Sequence, residues 1–121
     1  MTKFLPDAGP VRSLGDGHVT LELRVPPHSP CFEGHFPGLP ILPGVVQLDW
    51  AIQQAQAHIP AMAQAGAFTA LEKLKFQAPV LPGAALLLDL RWNAVRSSLD
   101  FTYTCGARQH SSGRVVFGGA A

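Results

Sequence analysis

Two side chains in this sequence are suited to acid–base chemistry, His35 and Asp49. Imidazole has an unperturbed pKa of about 6.5 and exchanges protons readily near neutral pH. A carboxyl group beside apolar neighbours can be raised into a usable proton donor. His35 lies in a loop punctuated by Gly and Pro, and Asp49 in the helix-like run that follows. Gln53 stands four residues after Asp49, shares its helical face and can meet the same ligand.

These residues need elements to hold them. Gly44 to Ile59 contains no internal Gly or Pro and stops at Pro60, which predicts one long helix. Val45, Leu48, Ile52, Ala55 and Ile59 recur at spacings of three and four and form the predicted buried stripe. At roughly 100° per residue, Asp49 falls at one border of that stripe, while Gln47, Gln54 and His58 fall on the opposite, polar face. The preceding loop, Pro30 to Pro43, carries Phe32, Phe36, Leu39, Ile41 and Leu42. So many large apolar groups predict a packed, site-forming loop rather than a solvated linker.

The remainder reads as strands. Val19, Leu21, Leu23 and Val25 alternate with Thr20, Glu22 and Arg24, the period of a half-buried strand from His18 to Val25. Further strands are predicted for Phe68 to Ala78, Ala84 to Val95, the run Leu99–Phe101–Tyr103–Cys105, and Arg114 to Phe117 after a turn at Ser111 to Gly113. Residues 1–17 are rich in Gly and Pro and read as an irregular lead-in with a short extended piece at Val11. Short turns between neighbouring strands imply antiparallel pairing, and a lone helix must bury its stripe on such a sheet. The expectation is a single α+β domain over residues 1–121, a curved antiparallel sheet around one central helix.

Composition narrows the function classes. Of 121 residues, 47% are hydrophobic and 14% charged, so part of the apolar surface is expected to meet a partner such as a second copy. A formal net charge of +1, with scattered basic residues, leaves no footprint for nucleic acid or an anionic membrane. Cys31 and Cys105 have no metal-like spacing and read as reduced thiols of a cytoplasmic protein. No signal peptide and no membrane span are expected. His18, His28, His58 and His110 are expected at the surface, and Trp50 and Trp92 in a core or interface.

The motifs resemble a family. GHFPGLPILPG followed by VVQLDWAIQQ is similar to the signature of the hotdog-fold beta-hydroxyacyl-acyl-carrier-protein dehydratases of fatty acid synthesis. In that pattern a histidine in HFPG precedes an acid by fourteen positions, as His35 precedes Asp49, and a glutamine follows the acid, as Gln53 does. KFQAPVLPG, from Lys75 to Gly83, resembles the segment after the family's helix. The acid is aspartate, as in the dehydratase–isomerase branch, and Ala84 stands where the family often has aspartate. The wording is closest to short accessory relatives of the aryl-polyene type.

The resemblance implies the hotdog fold and loss of water from a beta-hydroxyacyl thioester. His35 would be the base at the alpha carbon, and Asp49, assisted by Gln53, would protonate the departing hydroxyl. The N–H of Gly44, with that of Val45, would bind the thioester oxygen, because unpaired N–H groups and the positive dipole end of a helix favour negative charge. It further implies a homodimer or larger homo-oligomer with sites shared between subunits. An acyl carrier protein would bring the substrate on its phosphopantetheine, and no metal or redox cofactor would be used. Two alternatives keep the fold: a thioesterase using the helical aspartate, and a non-catalytic acyl- or carrier-binding subunit.

Overall fold

The computed structural model describes residues 6–26 and 41–118. In chain order come β1 (Asp7–Gly15), β2 (His18–Arg24), α1 (Gly44–His58), a 3-10 turn (Pro60–Gln64), β3 (Ala67–Phe76), β4 (Ala85–Asn93), β5 (Ser98–Cys105) and β6 (Arg108–Gly118). The strands form one antiparallel sheet in the order β1-β2-β4-β5-β6-β3. One helix against an antiparallel sheet is the predicted layout. Most of the loop from Pro30 to Pro43, with Cys31 and His35, lies outside the described residues.

The core follows from strand alternation. Leu21 and Leu23 of β2, Leu88 and Leu90 of β4, Phe101 and Tyr103 of β5, and Val115 of β6 point inward. They form one buried cluster with Trp50, Ala51 and Ala55 of α1. Each fully buried large apolar side chain contributes about 1.5–3 kcal/mol relative to exposure. Trp92 packs edge-on against Phe117, with ring centroids 5.8 Å apart. Both tryptophans therefore sit where the sequence places them.

Three expectations need correction. Residues 7–15 are not irregular: Asp7–Gly15 pairs with β2 as an outer strand, with register shifts between Ala8 and Val11 and between Ser13 and Gly15. Glycine and proline are tolerated there because an edge strand need not donate on its open side and bulges absorb the misfit. The second concerns Ser111 to Gly113, which lie inside β6; the turn is at Gly106, which has φ +59°. Ser111 and Gly113 are small because they face packed groups, not because the chain reverses. A Cβ on Gly113 would stand 2.9 Å from the Phe101 ring and 3.0 Å from Leu74.

The third correction concerns the face of α1. Gln47, Trp50, Ala51 and Ala55 are its buried residues, and Val45 is 73% exposed. The buried arc is turned about a quarter of a revolution from the predicted stripe, towards Gln47 and away from Val45. The tryptophan and the two alanines fit beneath the curved sheet, and Gln47 is accepted because its amide is hydrogen-bonded at both ends there. Val45, Leu48 and Ile52 lie on the more open flank.

Candidate functional site

Pro43 stands at the N-cap of α1 and supplies no side-chain cap. Val46 N–H and Gln47 N–H both donate to Pro43 O at 3.1 Å. Gly44 and Val45 are the first two helical residues, so their N–H groups have no acceptor within the helix. Serine, threonine or aspartate at the cap would have accepted from the N–H of Val45 or Val46; Pro43 has no side chain that does so.

Gly44 borders a cavity of about 320 Å³, bounded also by Gln47, Leu42, Phe76, Gln77 and Ala78. The Phe76 ring, at the end of β3, lies directly against Gly44. A Cβ on Gly44 would stand 2.5 Å from Phe76 Cζ and 2.9 Å from Cε1. With the ring in this place, a side chain at position 44 would displace Phe76.

Asp49, one turn further along, is half-buried on the flank away from the sheet. Gln53 Nε2 donates to its Oδ2 at 3.0 Å, which fixes the carboxylate. The predicted pairing of Asp49 with Gln53 is therefore present in space. His35 lies outside the described residues. Val45 occupies the same helix end as Gly44, with its side chain facing outward.

Sequence reasoning missed four polar residues around this helix start. Gln47, only 3% exposed, donates from Nε2 to Leu42 O at 3.1 Å and accepts at Oε1 from Ser111 Oγ at 2.7 Å. Tyr103 O–H donates to Gln47 O at 2.6 Å. Burial, and then the charge of Asp49, pushes the Tyr103 phenol well above its ordinary range, so it remains a neutral donor. His110 is buried rather than at the surface, with Nδ1 3.3 Å from Ala78 O. Its backbone oxygen accepts from Gln77 N–H and Ala78 N–H, so it fixes one wall of the cavity. The inward position of Tyr103 on an alternating strand was a legible signal; Gln47 offered none.

The remaining histidines and acids have other settings. His18 Nε2 lies 3.0 Å from Asp89, which also accepts from Arg91 Nε at 3.1 Å, a partly exposed cluster on the outer sheet face. His58 ends α1 and is half-buried. Cys105 is a free, exposed thiol. Among the described residues no three His, Cys, Asp or Glu side chains gather as metal ligands, and no helix is long and apolar enough to cross a membrane.

The chain was compared with known proteins. The ApeI-like family model, described as ApeI dehydratase, matches residues 12–114. A chain of the dehydratase heterocomplex ApeI:P from Xenorhabdus doucetiae superposes with a TM-score of 0.82 at 32% identity, covering 92% of this chain and 96% of that one. The 3-hydroxyacyl-[acyl-carrier-protein] dehydratase FabZ of Alkaliphilus metalliredigens is 38% identical over 81 residues, 63% of this chain and 54% of the relative. FabZ of Clostridium perfringens (strain SM101 / Type A) is 29% identical over 125 residues, 88% of this chain and 82% of the relative. The chain thus spans about half the length of the first FabZ and most of the second.

Proposed function

The chain belongs to the ApeI-like dehydratase family, with the hotdog fold and beta-hydroxyacyl dehydratase relatives, and on that footing we propose that it dehydrates a beta-hydroxyacyl thioester to the trans-2-enoyl thioester. The observation that carries this reading is the start of α1, where Gly44 borders a cavity, the Gly44 and Val45 N–H groups have no acceptor among the described residues, and the Gln53-held Asp49 stands one turn on.

Each group has one task. His35 takes the alpha proton, and Asp49 gives a proton to the departing beta hydroxyl, so water leaves and the double bond forms between the two carbons. Charge that develops on the thioester oxygen meets the Gly44 and Val45 N–H groups, preorganised donors at the positive end of the helix. Gln53 orients Asp49. The reaction neither oxidises nor reduces the substrate, so no redox cofactor is needed and proton transfer suffices.

The substrate is read as an acyl group on the phosphopantetheine of an acyl carrier protein, in fatty acid or polyene-type synthesis in the cytoplasm. The protein is read as a homodimer or larger homo-oligomer with shared sites. Phe68, Leu71 and Leu74 on edge strand β3 are 37–49% exposed, and Val45 on α1 more so. Such an apolar strip beside an open sheet edge suits a second copy of the same fold. Asp49 is half-buried on the same helix as Val45.

The test follows enoyl formation and free-thiol release separately from a beta-hydroxyacyl carrier protein. Enoyl product without thiol is expected. Thiol without enoyl product would replace this reading with thioester hydrolysis, and tight acyl-carrier binding with neither product would replace it with a non-catalytic role.

A further inference from the structure

The start of α1 lacks the usual device that fixes a helix end. Its cap is proline, its first residue is flexible glycine, and no side chain among the described residues accepts from the first-turn N–H groups. A catalytic donor nevertheless has to be held still.

A row of three side chains crosses the sheet beneath this turn. Ser111 on β6 pairs directly with Tyr103 on β5 and with Phe76 on β3, so all three project on one face. Tyr103 O–H bonds to Gln47 O, Ser111 Oγ bonds to the Gln47 amide, and the Phe76 ring lies against Gly44. The other end of the Gln47 amide reaches back to Leu42 O, while Leu42 N–H donates to Val80 O at 2.8 Å. The chain is gripped at Leu42 and at Gln47, on either side of Gly44 and Val45.

These bonds use the N–H and carbonyl of Leu42 and the carbonyl and amide of Gln47; among the described residues none uses the N–H of Gly44 or Val45. We propose that Gln47, with Ser111 and Tyr103, is a positioning cluster that substitutes for the missing cap, holding the two donors in place while leaving them free for the thioester oxygen. This rests on the reading under Proposed function and adds positioning residues to it. It also explains a glutamine on the buried face of α1. An apolar side chain of that size would fill the space but could not fix the direction of the turn.

The experiment compares the full-length wild-type protein with Gln47→Met, Ser111→Ala and Tyr103→Phe. Backbone amide order parameters of Gly44 and Val45 are measured by NMR, and kcat, KM and melting temperature alongside. The expected result is that order parameters fall from the rigid range near about 0.85 towards the flexible range below about 0.6. kcat per folded molecule falls about 10- to 100-fold in Gln47→Met, with KM within about threefold, because the lost interaction matters in the transition state. Ser111→Ala, the gentlest change, serves if Gln47→Met does not fold. The double variant Gln47→Met/Ser111→Ala should lose less than the product of the single losses, since the two share one bond. Rigid Gly44 and Val45 amides in folded variants would overturn the proposal, as would an unchanged kcat with only a lowered melting temperature. A wild type that forms no enoyl product overturns the dehydratase reading instead, and the order parameters then decide the clamp by themselves.

Discussion

Replacing Gly44 by alanine separates access from stability at the helix start. The added methyl would stand 2.5 Å from Phe76 Cζ and 2.9 and 3.1 Å from Cε1 and Cε2. Comfortable carbon–carbon contact is about 3.5–4.0 Å, so the ring has to retreat by about 1 Å or more. Phe76 is 54% exposed at the end of an edge strand and has room to swing. The stability loss should therefore stay within about 1 kcal/mol, because no rigid neighbour is trapped. The displaced ring moves across the cavity mouth, where a misplacement of about 1 Å is worth about a hundredfold in rate. That corresponds to about 2.7 kcal/mol of activation free energy. Enoyl formation should fall by about that factor at nearly unchanged melting temperature. Gly44→Ala combined with Phe76→Ala should recover much of the rate, because alanine at 44 keeps its N–H. Full activity in the single variant would refute the placement of the thioester at this helix end. No recovery in the double variant would show that the ring is not the obstacle.

Other outcomes follow from the same structure. Tyr103 is the chain's single tyrosine, so phenolate absorbance reports it alone. Its raised pKa means that its stabilisation is intact below the ordinary value of 10.0 and is lost as pH climbs from there through the folded-state value; phenolate that appears in the folded protein at the ordinary value would contradict this. Phe68→Asp puts a charge on the exposed inner face of β3 and should shift light-scattering mass from dimer towards monomer, with loss of activity; an unchanged mass would place the interface elsewhere. Gly17 has φ +76° and a Cβ there would meet Trp92 O at 2.9 Å, so Gly17→Ala should lower stability by about 1–3 kcal/mol while kcat per folded molecule is unchanged.

The sequence made the scaffold legible wherever a local rule acts alone. The run from Gly44 to Ile59 has no internal breaker and is helical from Gly44 to His58; the alternation after His18 is a strand. It failed where tertiary partners decide. Gln47 looks solvated until Ser111 and Leu42 O are known to receive its amide. Val45 looks buried because a period of three and four finds an apolar stripe without saying whether this chain or another covers it. Gly9 and Pro10 read as punctuation, yet a sheet edge accommodates them in β1. At the candidate site, the Asp49–Gln53 contact and the place of Gly44 at the helix start were legible from spacing. The cluster beneath them depends on a cross-strand row from three separate strands, and no linear pattern encodes that.

The most direct measurement is the rate of enoyl formation by His35→Ala and Asp49→Asn, each alone and then mixed after reversible dissociation. Losing a general acid or base should lower the rate of each by about 10²- to 10⁴-fold with the fold retained. If one subunit supplies the base and the other the acid, the mixture should regain activity at about a quarter of its sites. Enoyl formation untouched by either substitution would contradict the account, because the pair on which it rests would not be doing the chemistry.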